Sequence, residues 1–434
     1  MPGKPGIPDV SVHAQRWREH GAYVVAAVAG CIVGLLGGAF RWCLEQAVEF
    51  REWLDGAAVA GSADWLVPVT LTAAGAAAAC AIARCVPQAA GSGIQHVQAV
   101  WLEEGHARSL WLLPAKFVGG VIAIGSGLVL GREGPTVHMG ATIGAEAGRR
   151  AGLDPDDVRR VHTALGGAGL AVAFTAPLAG VIFVCEEVTR TVRPRMVLLT
   201  LIGTVTAVAC ARLLVDDVQA FPYSPPPAPA GWLLPLFLLF GVVMGAVGAA
   251  YSALVVGMLA VCDRLTDVPP VVRAAAIGAL VGLLLALDPL LVGDGDPLSE
   301  QLLDGQGPAV AVLAGYLVVR FAAGPLSYAA ATPGGLFAPL LALGALCGAL
   351  AHAAAAPLLP VPGSGAFAVV GMAALFAGVV RAPVTGTVLV IEMTGATSLL
   401  LPLLAASFAA TLTANLLESD PIYDTLRHRM LERP

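Results

Sequence analysis

The sequence predicts an all-α, polytopic membrane protein. Three observations carry that expectation. Of 434 residues, 57% are hydrophobic and only 12% charged, against about 25% charged in a typical soluble domain. Mean hydropathy is +0.80, which suits a bundle of apolar helices in lipid. Finally, several apolar runs are interrupted by Gly and Pro. Irregular backbone at membrane depth persists only where it is buried in protein or lines a wet cavity, and broken helices that meet near the midplane mark transporters.

The balance of charge narrows the function. Net charge is −6 with no basic tract, which argues against a nucleic-acid partner. The cysteines at 31, 43, 80, 85, 185, 210, 262 and 347 form no Cys-x-x-Cys pair. They read as small buried hydrophobes rather than disulfides or metal ligands. His96 and His138 have no partners at ligand spacing, so no metal is expected. The first 20 residues are polar and lack the apolar core and small-residue cleavage site of a signal peptide. The first apolar run is therefore expected to stay as a membrane helix.

The elements follow in order. A first span runs from about 22 to 42 and a second from about 65 to 83. A glycine break, Gly91-Ser-Gly-Ile94, comes next. Another span begins near 110 and contains Lys116. The stretch Gly131-Arg-Glu-Gly-Pro-Thr-Val-His-Met-Gly140 opens a helix that reaches about Gly148, since Pro135 is tolerated only in a first turn. A charged connection is expected over 149–160. The run 164–188 is broken at Thr175-Ala-Pro177 into two helices. Spans follow near 197–215, 232–261, 271–292 and 309–325. Ala331-Thr-Pro-Gly-Gly-Leu-Phe-Ala-Pro339 breaks the pattern again. Helices then run to about 356 and over 366–380, 383–396 and 399–417, before a short polar tail.

The chain repeats itself. Ala176-Pro-Leu-Ala-Gly-Val-Ile-Phe-Val-Cys-Glu186 resembles Ala382-Pro-Val-Thr-Gly-Thr-Val-Leu-Val-Ile-Glu392, and their prolines lie 206 positions apart. The stretch 131–140 aligns with 335–344 at an offset of 204. Two matches at nearly one offset predict two similar halves, each bringing a helix N-terminus to a shared site. Arginines at 190, 193 and 195, and at 427, 429 and 433, mark cytoplasmic ends. The loops 216–230 and 291–308 carry acids and no Lys or Arg, and read as external. Lys4, Arg16 and Arg18 place the N-terminus inside. The expected organisation is a cytoplasmic segment (1–20), a first membrane half (21–215), an extracytoplasmic linker (216–230), a second half (231–417) and a cytoplasmic tail (418–434).

The central stretch carries the chemistry. Backbone N–H groups at a helix start have no partners within the helix and carry its positive dipole end. Gly131 and Gly134 let another group approach that backbone. The stretch therefore reads as an anion site, with Glu133 where an anion would sit. A charge at membrane depth costs about 2.5–3.5 kcal/mol on insertion scales, so Glu133 is a functional candidate; the bland alternative is a partner for Arg132. Enzymatic phosphate chemistry is poorly supported: no Walker lysine follows a glycine turn, and no Ser/His or metal constellation has usable spacing. Helix N-termini also repel cations. No cofactor is expected.

These motifs resemble the CLC family of chloride channels and proton/chloride exchangers. Its GSGIP pattern appears as Gly91-Ser-Gly-Ile-Gln95, its GREGP pattern in full at 131–135, and its GxFxP pattern as Gly335-Leu-Phe-Ala-Pro339. Asp420-Pro-Ile-Tyr-Asp424 resembles the segment with the family's inner-gate tyrosine. The resemblance implies two inverted halves of short, tilted, broken helices, packed as a homodimer in the inner membrane, with both termini cytoplasmic. It implies chloride held by Ser92, by the amides of Leu336 and Phe337 and by Tyr423, with Gly91, Gly93, Arg132, Gly134 and Lys116 in support. Ser92 favours chloride over nitrate or fluoride. Glu133 is implied to be the gate, mimicking chloride when ionised and swinging away when protonated. Glu187 is implied to be the inner proton acceptor, with Glu186 its neighbour in proton transfer. From composition alone both read as a helix end near Arg190. Glu392, the repeat counterpart of Glu186, is expected to be structural. Gln95 replaces the family's Pro, and Gln98 stands where exchangers often place an acid. The expected activity is proton-coupled chloride antiport, with a passive voltage- or pH-gated chloride channel as the alternative. The chain ends 11 residues after Tyr423, so no nucleotide-binding CBS domains are expected.

Overall fold

A computed structural model describes residues 10–57, 65–107, 109–215, 221 and 223–432, with side chains from 20 onward. Lys4, Arg433, and 216–220 and 222 of the linker lie outside the described residues, as do the side chains of Arg16 and Arg18. The first half contains α1 (Val10–Ala57), α2 (Leu66–Cys85), α3 (Ile94–Trp101), α4 (Leu112–Gly125), α5 (Glu133–Arg150), α6 (Pro155–Phe174), α7 (Pro177–Phe183) and α8 (Pro194–Ala211). The second contains α9 (Leu234–Arg264), α10 (Pro270–Leu287), α11 (Asp296–Leu303), α12 (Val310–Tyr328), α13 (Phe337–Ala355), α14 (Ser364–Val380), α15 (Pro383–Thr394) and α16 (Leu400–Leu416). α17 (Ile422–Leu431) closes the chain. Among the described residues, 8 helices are long and apolar enough to cross a membrane.

Three stretches depart from the expected pattern. The charged connection at 149–160 is mostly helix. Asp154 accepts from the Asp157 N–H at 2.9 Å and Pro155 takes the first helical position, a strong helix start. The acidic loop 291–308 contains α11, begun by left-handed Gly295. The polar tail is α17, which starts after Pro421.

The two halves are inverted copies. The α5–α6 hairpin corresponds to α13–α14, and each closes on glycine. A Cβ on Gly140 would lie 2.3 Å from the Leu165 carbonyl oxygen, and one on Gly344 2.4 Å from that of Gly371. The short helices α7 and α15 pack together and cap one another. Glu186, just beyond α7, accepts from the N–H groups of Val384 (3.1 Å) and Thr385 (2.6 Å) and from Thr385 Oγ1 (2.7 Å). Glu392, near the end of α15, accepts from the N–H groups of Leu178 (3.0 Å) and Ala179 (2.7 Å). Neighbouring helices that each touch the other's start with their own end run antiparallel, as a two-fold axis across them requires. The centre is closely packed: Glu133 to Ala145 on α5 and Gly365 to Val380 on α14 are buried throughout.

A second correspondence escaped the sequence reading. Gly91-Ser-Gly93 and Gly293-Asp-Gly295 are equivalent turns. Their outer glycines have φ of 65° and 70°, and Gly93 and Gly295 both have φ of 97°, angles that favour glycine. Each turn starts an 8-residue helix, α3 or α11. A buried base steadies each: Lys116 Nζ donates to the carbonyls of Ala89 (3.0 Å) and Gly91 (2.7 Å), and Arg320 to those of Leu290 (2.8 Å), Val292 (2.7 Å) and Gly293 (2.9 Å). Lys116 is fully buried, held among carbonyls rather than reaching to the membrane surface.

Candidate functional site

Three chain breaks meet at the centre. Gly131 and Gly335 exchange backbone hydrogen bonds at 2.9 and 2.8 Å. The Gly91 N–H donates to the Thr332 carbonyl at 2.9 Å, and the Gly334 N–H to that of Gly91 at 3.2 Å. The starts of α3, α5 and α13 are thereby stitched together. Each supplies amides without partners inside its helix, so positive dipole ends gather where water is excluded.

Glu133 sits at that junction, fully buried. Its Oε1 accepts from the Phe337 N–H at 2.6 Å. Its Oε2 has no hydrogen-bond partner among the described atoms. The carboxylate fits because both flanking turns are glycine: a Cβ on Gly131 would lie 2.2 Å from Oε2, and one on Gly335 2.4 Å from Oε1. Leu336 is the residue before α13, and the Phe337 ring is core, edge-on to Phe376 (4.6 Å) and Tyr423 (5.6 Å). The Phe337 amide faces the carboxylate, and its side chain does not.

Ser92 and Tyr423 are fully buried beside this junction. The two hydroxyls face each other, and neither is held by any other protein group. Gly134 makes room for Ser92, since a Cβ there would lie 2.4 Å from Ser92 Oγ. Two buried hydroxyls with no other protein partner suit a desolvated anion, because an unsatisfied buried polar group costs about 1–3 kcal/mol. The departure at Gln95 is locally repaired: Gln95 Oε1 accepts from the Gly93 N–H at 3.1 Å. Tyr328, which sequence reasoning missed, accepts from the Ser92 N–H at 3.3 Å; its only sequence signal is an aromatic just before the Ala331 break.

Glu187 lies on a π-helical turn, Val184–Val188. It is 1% exposed. Its Oε1 accepts from Gln98 Nε2 at 3.0 Å, and the same amide donates to the Glu187 carbonyl at 3.3 Å. The turn sends adjacent carboxylates different ways: Glu187 turns to Gln98 on α3, while Glu186 is engaged by the start of α15.

Arg132 does not pair with Glu133 in an ion pair. Its Nε donates to the Ala173 carbonyl at 3.0 Å, and its other nitrogens reach Asp296 (3.2 Å) and Asp294 (4.0 Å). The arginine thus bolts the start of α5 to the end of α6 and to the turn before α11. Neither aspartate was singled out in the sequence; the second Gly-x-Gly was their signal. His96 and His138 come together across α3 and α5, with ring centroids 5.0 Å apart.

Inverted halves, broken helices and a buried carboxylate on a foreign helix N-terminus define a membrane ion transporter. The chain belongs to the voltage gated chloride channel family, whose model matches residues 74–415. It is 36% identical over 426 residues to the H+/Cl− exchange transporter ClcA of Vibrio parahaemolyticus, covering 94% of this chain and 90% of that one. It is 35% identical over 429 residues to the ClcA of Cronobacter sakazakii, with 94% and 90% covered. Its structure is similar to the crystal structure of a slow cyanobacterial Cl−/H+ antiporter, with a TM-score of 0.89, 28% identity, and 95% and 98% of the two chains covered.

Proposed function

We propose that this protein exchanges chloride for protons across the membrane, with both ions passing a gate at Glu133. One observation carries the proposal: the Glu133 carboxylate occupies the N-terminus of α13, on the Phe337 amide, with one oxygen unpartnered. An ionised carboxylate there takes the place a chloride would take. Protonation removes its charge and weakens its hold on the amide, so the anion competes successfully. Ser92 Oγ, Tyr423 OH and the amides at Leu336 and Phe337 hold the anion as neutral donors, which bind it without trapping it in an ion pair. Gly91, Gly93 and Gly134 shape the backbone around it, while Lys116 and Arg132 fix the turns. Glu187 receives the proton on the inner side.

Glu186 has a different job in this scheme. Both its oxygens are engaged by α15, so it acts as a helix cap, and proton transfer falls to Glu187 alone. The halves span 21–215 and 231–417, joined by an external linker at 216–230. The 1–20 segment and the 418–434 tail face the cytoplasm, where Arg190, Arg193 and Arg195 also cluster. The protein sits in the inner membrane as a homodimer, needs no cofactor and catalyses no covalent chemistry.

The test is chloride-driven proton movement in liposomes, with valinomycin and potassium setting the voltage. A chloride gradient should drive protons uphill. In Glu187→Gln, proton movement should stop while chloride still crosses. Chloride flux without uphill protons in the unmodified protein would overturn antiport and leave a channel.

A further inference from the structure

The inner mouth carries a chain of charges that the exchange scheme does not use. Arg190 lies three residues beyond Glu187 and has a left-handed backbone, φ 52°, uncommon for a residue with a side chain. Its Nη2 donates to Asp424 Oδ2 at 2.5 Å. Asp424 directly follows Tyr423. Asp424 Oδ1 lies 3.7 Å from Arg427 Nη2, and Arg427 Nε lies 3.3 Å from Glu104, just past the end of α3. Three elements are thereby joined: the π turn bearing Glu187, α17 bearing Tyr423, and α3, which follows Ser92 and carries Gln98. Glu187 is within electrostatic reach of Arg190, Asp424 and Glu186. Of these carboxylates, Glu186 is held by α15, and Arg190 is paired with Asp424, three residues along the chain from Glu187.

We infer that the Arg190–Asp424 ion pair is a positioning element that couples proton occupancy of Glu187 to the placement of Tyr423. This rests on the proposed exchange function. When Glu187 is ionised it draws Arg190 toward itself and loosens the hold on Asp424. When Glu187 is protonated, Arg190 returns fully to Asp424 and seats the start of α17, and with it the Tyr423 hydroxyl beside Ser92. Asp424 is largely covered, with 13% of its side chain exposed, whereas Arg190 is 51% exposed. Pairs of that exposure are modest, so losing one should shift the seating equilibrium by about twofold to fivefold.

The experiment uses the full-length protein in liposomes and reads protons moved per chloride. Asp424→Asn and Arg190→Gln should each lower that ratio by about twofold to fivefold while total chloride flux holds or rises. The charge swap Arg190→Asp with Asp424→Arg should restore it, which a general packing defect would not allow. Arg429→Gln, which removes the α17 ion pair with Asp263, should leave the ratio unchanged. An unchanged ratio in both single variants, or a swap that fails to recover, overturns the coupling. An unmodified protein that carries chloride without protons overturns both this coupling and the exchange function. A pumping protein with unaffected variants overturns the coupling alone.

Discussion

Glu133, Glu186 and Glu392 each place a carboxylate on the N-terminus of a helix from the opposite half, yet they are not held equally. Glu186 and Glu392 have both oxygens engaged, by Val384 and Thr385 or by Leu178 and Ala179. They are half-buried. Glu133 is fully buried with one oxygen engaged and the other unpartnered. A helix start attracts any carboxylate. In the proposed scheme, how completely the second oxygen is satisfied separates a fixed cap from a gate. Around Glu133 the flanking turns are glycine, which leaves the carboxylate space.

The sharpest way to break this comparison is Glu133→Gln. The amide cannot cycle a proton, so proton movement in liposomes should fall to background while chloride still passes. Persistent uphill proton movement would make Glu133 a third cap. Next in size is Gly335→Ala. Its methyl group would stand where Glu133 Oε1 sits, destabilising the closed gate by about 1–3 kcal/mol. In the unmodified protein, chloride flux should fall as pH rises, because the ionised carboxylate competes for the site. In Gly335→Ala that fall should be blunted; an unaltered pH profile would mean the carboxylate does not close the path in this position.

Glu186→Gln tests the other side. A capping carboxylate hydrogen-bonded to three donors should be worth about 1–2 kcal/mol, read as a lower thermal midpoint in detergent. Protons per chloride should not change. A lost ratio at full stability would return Glu186 to proton transfer. Glu392→Gln should be the mildest, at about 0.5–1 kcal/mol, because Leu178 beside it is 54% exposed.

Much of this was legible in the sequence because chemistry at membrane depth is conspicuous. Glu133 and Glu187 are acids next to apolar runs, and Gly and Pro mark where helices stop. Adjacency hid a difference at Glu186. Two neighbouring acids read alike in the sequence, and the π turn and the antiparallel contact of α7 with α15 send their carboxylates to different partners. α11 and α17 were hidden because they are short and polar and carry no membrane-length apolar signal. Their starts were readable from Gly295-Asp-Pro297 and from Pro421. Asp294 was hidden because its kinship with Ser92 lies in backbone conformation rather than residue type. The replacement of the family's Pro by Gln95 is visible in the sequence, but its consequence is not: only the hydrogen bond that Gln95 accepts from the Gly93 N–H shows how a polar side chain fits the turn.

That kinship has a consequence for direction. A conduit assembled from two like halves in opposite orientation would look the same from either side of the membrane. The Gly-x-Gly turns remove that ambiguity. One offers the hydroxyl of Ser92, which can donate to a chloride; the other offers the carboxylate of Asp294, which repels one and faces Arg132 instead. This difference between otherwise matched turns adds to the asymmetry that Glu133, facing the Phe337 amide of the other half, already gives the two sides.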